Sequence, residues 1–271
     1  MTRRLGMIAL YLLIVVGAAI MFFPFLWTVI TSISPGSGLR VTPQLIPENP
    51  SLGAYVQLFD RLPFGRVILN SLFLAVACTI LQLVTSSLAA YAFSRLPFRG
   101  RSLLFAVYLA TMMMPIQVLI VPLFIEMKSF GLLNTYVAVL LPSIGSAFGV
   151  FLLRQAMNSV PRDLDQAATI DGAGHFRIFS QIVLPLVKPA LATLAVFSFL
   201  GSWNSFLWPL IVLRKPELRT LPVALSALQG QFTTQWDVVM AGSVISIIPM
   251  VALYIFAQKY VIQGVAGSGL K

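Results

Sequence analysis

Residues 159–189 read SVPRDLDQAATIDGAGHFRIFSQIVLPLVKP, and they interrupt a chain that is otherwise apolar enough to sit in lipid. Within them stand Arg162, Asp163, Asp165, Asp171, His175, Arg177 and Lys188. Pro161 suits the first turn of a helix, where its missing N–H has no helical carbonyl to serve. Asp163 and Asp165 follow, and negative charge there suits the positive end of the helix dipole. Leu164 to Ala168 continue the helix, and Asp171-Gly172 is a strong place to stop it. A second short helix is expected from Ala173 to Leu184, up to Pro185. The segment reads as helix, glycine turn, helix, lying outside a bilayer.

On either side the chain is greasy. Of 271 residues 58% are apolar and 10% charged, against about 25% charged in soluble domains. The expected fold is an all-α integral membrane protein, a single domain of six spans at about 7–33, 67–94, 103–125, 136–157, 185–213 and 238–260. Each run can cross roughly 30 Å of hydrocarbon at about 1.5 Å per residue. Residues 7–33 are too long for a secretory leader and lack a small-residue cleavage site, so they read as an uncleaved span. The loop from Ser34 to Pro63 is rich in Pro, Gly and Ser and is expected to be partly irregular. Pro115 and Pro122 fall inside the third span as tolerable kinks.

A net charge of +10 would suit nucleic acid, but the basic residues are scattered through short loops, so no nucleic-acid partner is expected. Placing both termini inside puts Arg3, Arg4, Arg95, Arg99, Arg101, Arg154, Arg162, Arg177, Lys188, Lys259 and Lys271 on the cytoplasmic side. The other seven of the 18 Lys and Arg, namely Arg40, Arg61, Arg66, Lys128, Arg214, Lys215 and Arg219, lie outside. Cys78 is the single cysteine and His175 the single histidine, which excludes a disulfide framework and a His/Cys metal site. The chain has no G-x-x-x-x-G-K-[ST] phosphate loop and no nucleophile–base pair, so catalysis is not expected of it.

Polar groups inside spans are costly and need a partner or a watery cavity. Residues 197–210, FSFLGSWNSFLWPL, carry Ser198, Ser202, Asn204 and Ser205; Gln82 and Gln117 are the other amides within spans. Asn204, Ser202, Gln82 and Gln117 are candidates for a substrate pathway, and interhelical hydrogen bonding is the alternative.

The interrupting segment resembles the "EAA loop" of the permease subunits of binding-protein-dependent ABC importers, E-A-A-x-x-D-G-A-x-x-x-x-x-F-x-x-I-x-L-P. It matches at Ala167, Ala168, Asp171, Gly172, Ala173, Phe179, Ile182, Leu184 and Pro185, and departs at Gln166, where the family has glutamate; Asp165 is the adjacent carboxylate. Trp203, Asn204, Phe206, Leu207, Pro209 and Leu210 are similar to the W-N-x-F-L-x-P-L stretch of maltose-type carbohydrate permeases. The loops 215–225 and 258–264 also resemble that group. The resemblance implies that residues 161–173, within a loop 159–185, form a coupling helix carrying Asp165, Gln166, Ala167, Ala168, Asp171, Gly172 and Ala173. It implies a heterodimer with a second permease, two ATPase subunits that bind ATP and Mg, and an extracytoplasmic binding protein. No cofactor is expected in this chain, and the expected site is a bacterial or archaeal plasma membrane. A di- or oligosaccharide, an amino sugar or glycerol phosphate would fit as substrate. An ion-gradient-driven transporter is the competing class, disfavoured because the spans carry essentially no Asp, Glu, Lys or Arg.

Overall fold

Proline and glycine placement cuts the apolar runs into helices of very different length. The computed structural model describes residues 2–36, 46–47, 49–229 and 235–266, with side chains described between 6 and 258. Arg40 and Lys271 lie outside the described residues, and the side chains of Arg3, Arg4 and Lys259 outside those described. Among the described residues every regular element is helical: α1 Thr2–Ser32, α2 Gly53–Arg61, α3 Phe64–Arg95, α4 Arg101–Ala110, α5 Ile116–Ser129, α6 Val137–Ser143 and α7 Ala147–Asn158. There follow α8 Asp163–Ile170, α9 His175–Leu186, α10 Lys188–Trp203, α11 Leu207–Val212, α12 Leu221–Ser226 and α13 Trp236–Ala266.

Among the described residues three stretches are long and apolar enough to cross a membrane unbroken, Gly6–Ser32, Phe64–Arg95 and Trp236–Gln258. Three more crossings are made only if bent pairs are each counted as one: Arg101–Met113 with Ile116–Ser129 (98°), α6 with α7 (44°), and α9 with α10 (80°). Six crossings then follow the predicted order, but half are broken. The third, expected as a kinked helix over 103–125, turns sharply at Met114-Pro115. Met114 is extended (φ −82°, ψ 113°), as a residue before proline prefers, and Pro115 begins the next helix from φ −67°. Pro122 lies inside α5 without ending it.

The fifth crossing departs twice from 185–213. The helix after the glycine turn runs past Pro185 to Leu186, through a wide π turn at Ile178–Val183 in which the Leu184 N–H reaches the Phe179 carbonyl. Pro185 has no N–H to give the Gln181 carbonyl and its ring crowds that oxygen; the widened turn accommodates it. Farther on, α10 stops at Trp203, and Asn204 ends it by donating from Nδ2 to the Leu200 carbonyl at 3.0 Å. Pro161 precedes α8 by two residues instead of sitting in its first turn. The loop 34–63, expected to be partly irregular, contains α2 among its described residues.

The chain forms two compact units. The first comprises residues 1–65 and 224–249. In it the Ser32 and Tyr55 hydroxyls meet at 2.9 Å, and the Asp237 carboxylate accepts from the Gly36 N–H at 3.3 Å. The apolar window of α1 is entirely exposed.

The second unit, residues 66–223 and 250–271, holds two buried clusters. One gathers Ala90, Tyr91, Phe105, Leu153, Met157, Val183 and Leu194. The other gathers Leu74, Met127, Ala138, Trp208 and Val212. Lipid is as apolar as leucine, so close packing and hydrogen bonds hold such a bundle more than hydrophobic transfer does. Gly149 makes the point: a Cβ there would press on the Ser86 hydroxyl and both Leu194 methyls, so α7 packs on α3 and α10 only because no side chain intervenes.

Candidate coupling segment and translocation pocket

Asp163 and Asp165 occupy the first turn of α8, as the dipole favours. The helix ends in a Schellman motif. The Ala173 N–H reaches the Ala168 carbonyl at 2.9 Å and the Gly172 N–H reaches Thr169 at 3.0 Å. This closure needs a left-handed residue, and Gly172 supplies it at φ 81°. Ala168 is buried, and Ala173 packs against the same cluster, which seats the helix on the bundle. Gln166, Ala167, Asp171 and Gly172 face outward. Around the turn Ile170 and Phe176 are 86% and 76% exposed, two large apolar side chains at the tip of a polar segment.

Asp165 turns the other way. Its carboxylate lies 3.1 Å from Arg95 Nε, with the N–H not aligned for a hydrogen bond, and the side chains are 20% and 4% exposed. The Arg95 guanidinium also donates through Nη2 to the carbonyls of Met157 and Val160, both at 2.9 Å, where α7 ends. The last carbonyls of α3 are met in return. Arg162 Nη2 donates to Ser94 at 2.9 Å and Arg154 Nε to Phe93 at 3.1 Å, with Arg154 also 4.0 Å above the Phe105 ring. Two helix C-termini converge here, each with orphan carbonyls and a negative dipole end, and arginine answers both needs. Sequence reading used these arginines only for topology; Arg95 and Asp165 are 70 positions apart, and nothing local pairs them.

A pocket of about 370 Å³ opens between α3, α5, α6 and α10. Its polar wall includes Gln82, Ser143, Ser146, Ser198, Ser202 and Ser205, with Phe148, Phe197 and Trp208 as aromatic surfaces. Gln82 also binds α3 to α10, accepting from the Ser198 hydroxyl at 2.7 Å. The four candidates differ in where they lie. Gln82 lines the pocket and makes the interhelical bond, Ser202 lines the pocket, and Asn204 and Gln117 are exposed positions outside its lining. Ser143, Ser146 and Phe148 were not foreseen, because they lie at a helix break that hydropathy does not register.

The breaks leave carbonyls that other helices satisfy. Pro142 cannot bond the Ala138 carbonyl, and Trp208 Nε1 donates to it at 3.0 Å. Thr85 Oγ1 lies 2.6 Å from the Ile144 carbonyl where α6 gives way to α7, and Ser146 Oγ caps α7 by accepting from Gly149. Irregular backbone at membrane depth is tolerated where it lines a cavity.

Whole and broken candidate spans, a hydroxyl-lined pocket in the larger unit and an amphiphilic helix–turn–helix together mark a multi-pass membrane transport component. The profile of one family, "Binding-protein-dependent transport system inner membrane component", matches residues 82–267. Relatives along the whole length agree. The arabinooligosaccharides transport system permease protein AraQ of Halalkalibacterium halodurans is 37% identical, over 100% of both chains. The lactose transport system permease protein LacG of Rhizobium radiobacter is 34% identical, over 98% of this chain and 97% of its own. The crystal structure of a bacterial ABC transporter involved in importing the acidic polysaccharide alginate contains a similar chain. Its TM-score is 0.84 at 27% identity, covering 95% of this chain and 97% of that one. This chain belongs to the family of inner-membrane permease components of binding-protein-dependent ABC transporters. It is a multi-pass inner-membrane subunit, and the family is not catalytic.

Proposed function

We propose that the chain is one half of the translocation pathway of an ATP-driven importer for a neutral di- or oligosaccharide. Related permeases are named for arabinooligosaccharides, lactose, and trehalose and maltose. The pocket chemistry supports the same class: serine hydroxyls and one amide for sugar hydroxyls, aromatic faces for the apolar faces of the rings. No cationic side chain is among the lining residues, which disfavours glycerol phosphate.

The family supports the rest of the assembly, with the segment 161–173 as its docking point. The partners are a second permease, two ATPases carrying ATP and Mg, and a binding protein on the outer side, with both termini of this chain cytoplasmic. The observation that carries the reading is the short, firmly capped α8 beside exposed Ile170 and Phe176. Two bare apolar side chains outside the bilayer suit a cleft on a soluble subunit. Closure of the ATPases would push this segment, and tilting spans would open the pocket alternately to the two sides. Gln166 offers an uncharged amide to that cleft, so a neutral hydrogen bond replaces the ion pair a glutamate would make.

The test is an Ile170→Cys variant in a Cys78→Ser background, purified from native membranes and cross-linked through its single thiol. The expected product joins this chain to a nucleotide-hydrolysing subunit. Absence of any such subunit from the purified complex would refute the reading.

A further inference from the structure

Between α8 and the pocket lies a length of bundle that any push must cross. Three of the paths have weak points: α4–α5 turns by 98°, α9–α10 by 80°, and α6 is separated from α7 by a 44° break. By contrast α3 runs unbroken and without proline from Phe64 to Arg95. Gln82 in the pocket is 13 residues from Arg95 on that helix, roughly 20 Å at the helical rise.

Arg95 is also where the inner ends of three elements meet. One side chain, 4% exposed, touches the Asp165 carboxylate on α8 and the Met157 and Val160 carbonyls at the end of α7. Resting on the coupling role of 161–173, we infer that Arg95 is a positioning residue: it makes α8, the end of α7 and α3 move as one body, so that displacement of α8 arrives at Gln82. The planar guanidinium matters because its donors diverge; a lysine ammonium is a point charge on a flexible stem and cannot hold the same three partners in fixed directions. Arg162 and Arg154 reinforce the joint from the opposite side by binding the Ser94 and Phe93 carbonyls.

Cys78 gives the readout, since it lines the pocket, lies on α3 and is the only cysteine of the chain. The complete transporter, purified with its partner subunits and binding protein and placed in proteoliposomes, is alkylated with N-ethylmaleimide with and without ATP and vanadate. Mass spectrometry of the Cys78 peptide gives the rate. In the native complex the nucleotide state changes that rate. In Arg95→Lys complexes that still contain the ATPases and hydrolyse ATP, the change is expected to shrink about tenfold, the order that loss of one coupling contact produces. Asp165→Asn, which keeps the side chain's shape, is expected to do the same should the lysine variant fail to assemble. Lys188→Gln, an exposed charge at the start of α10 and outside the coupling segment, serves as the control and is expected to respond like the native chain. A full nucleotide response in assembled Arg95→Lys or Asp165→Asn complexes overturns the inference while leaving the coupling reading intact. A native complex with no nucleotide response overturns both.

Discussion

The two ends of the larger unit are stitched with different chemistry. At the end holding Arg95, three arginines bind carbonyls of Phe93, Ser94, Met157 and Val160. At the other end the stitches are neutral. Asn70 donates from Nδ2 to the Glu217 and Arg219 carbonyls at 2.9 and 3.0 Å, and its Oδ1 accepts from the Tyr136 hydroxyl at 2.7 Å. Ser71 Oγ accepts from the Leu221 N–H at 2.6 Å. Asn134, at φ 60°, uses Oδ1 to accept from the N–H groups of Arg214 and Lys215 at 2.7 and 3.2 Å. The difference follows from what each end leaves unpaired. Converging helix C-termini offer only acceptors, which suit an all-donor guanidinium; a loop offers both kinds of group, which suit an amide. The charged end can also be pulled by a charged or polar partner, whereas the amide end is held by neutral side chains.

The largest expected effect is at the charged end. Arg95→Ala strands a half-buried carboxylate and two carbonyls, and stability in detergent is expected to fall by about 3 kcal/mol, the low end of the range for breaking a buried charge pair from one side. Thermal unfolding would read it. A loss under about 1 kcal/mol would mean that water relieves those groups, and the contrast between ends would fade. Next comes Asn70→Ala, which leaves the Tyr136 hydroxyl and two loop carbonyls unpaired; about 2–3 kcal/mol is expected. Its functional effect should appear in binding-protein docking, with ATP-dependent change at Cys78 retained. If Asn70→Ala abolished that change too, the two ends would not be separable.

Between the ends, Gly149→Ala forces a methyl against Ser86 and Leu194 and is expected to cost about 1–3 kcal/mol by overpacking. The smallest effect is at Gly172→Ala. Holding alanine in the left-handed region costs about 1 kcal/mol, felt locally as faster amide exchange at Gly172 and Ala173, whose N–H groups close the helix.

Regions whose structure is set locally were legible. Asp163 and Asp165 at a helix start, and glycine at 172, specify α8 and its stop without help from elsewhere. The six apolar runs match three whole and three bent candidate spans in order, since membrane thickness and helical rise fix the length required. The breaks were not legible. Hydropathy averaged over a span cannot register that Trp208 will satisfy the carbonyl freed by Pro142, or that Asn204 will cap its own helix. The candidate pathway divided on the same ground: Gln82 and Ser202 sit on the pocket, while Asn204 and Gln117 lie outside its lining. Asp165 was read from its own segment alone, whereas its partner is Arg95, and only the folded chain brings the two together.

The elbow at Met114-Pro115 has a consequence for the surrounding lipid. Its arms, Arg101–Met113 and Ile116–Ser129, measure about 20 and 21 Å at the helical rise, and bent by 98° they span roughly 27 Å end to end. A straight helix of the same residues would overshoot a hydrocarbon layer of about 30 Å. Opening or closing the elbow is thus a way to match acyl-chain length without tilting α3. Turnover measured in bilayers of graded thickness should then vary less than it would for a protein whose spans are all straight.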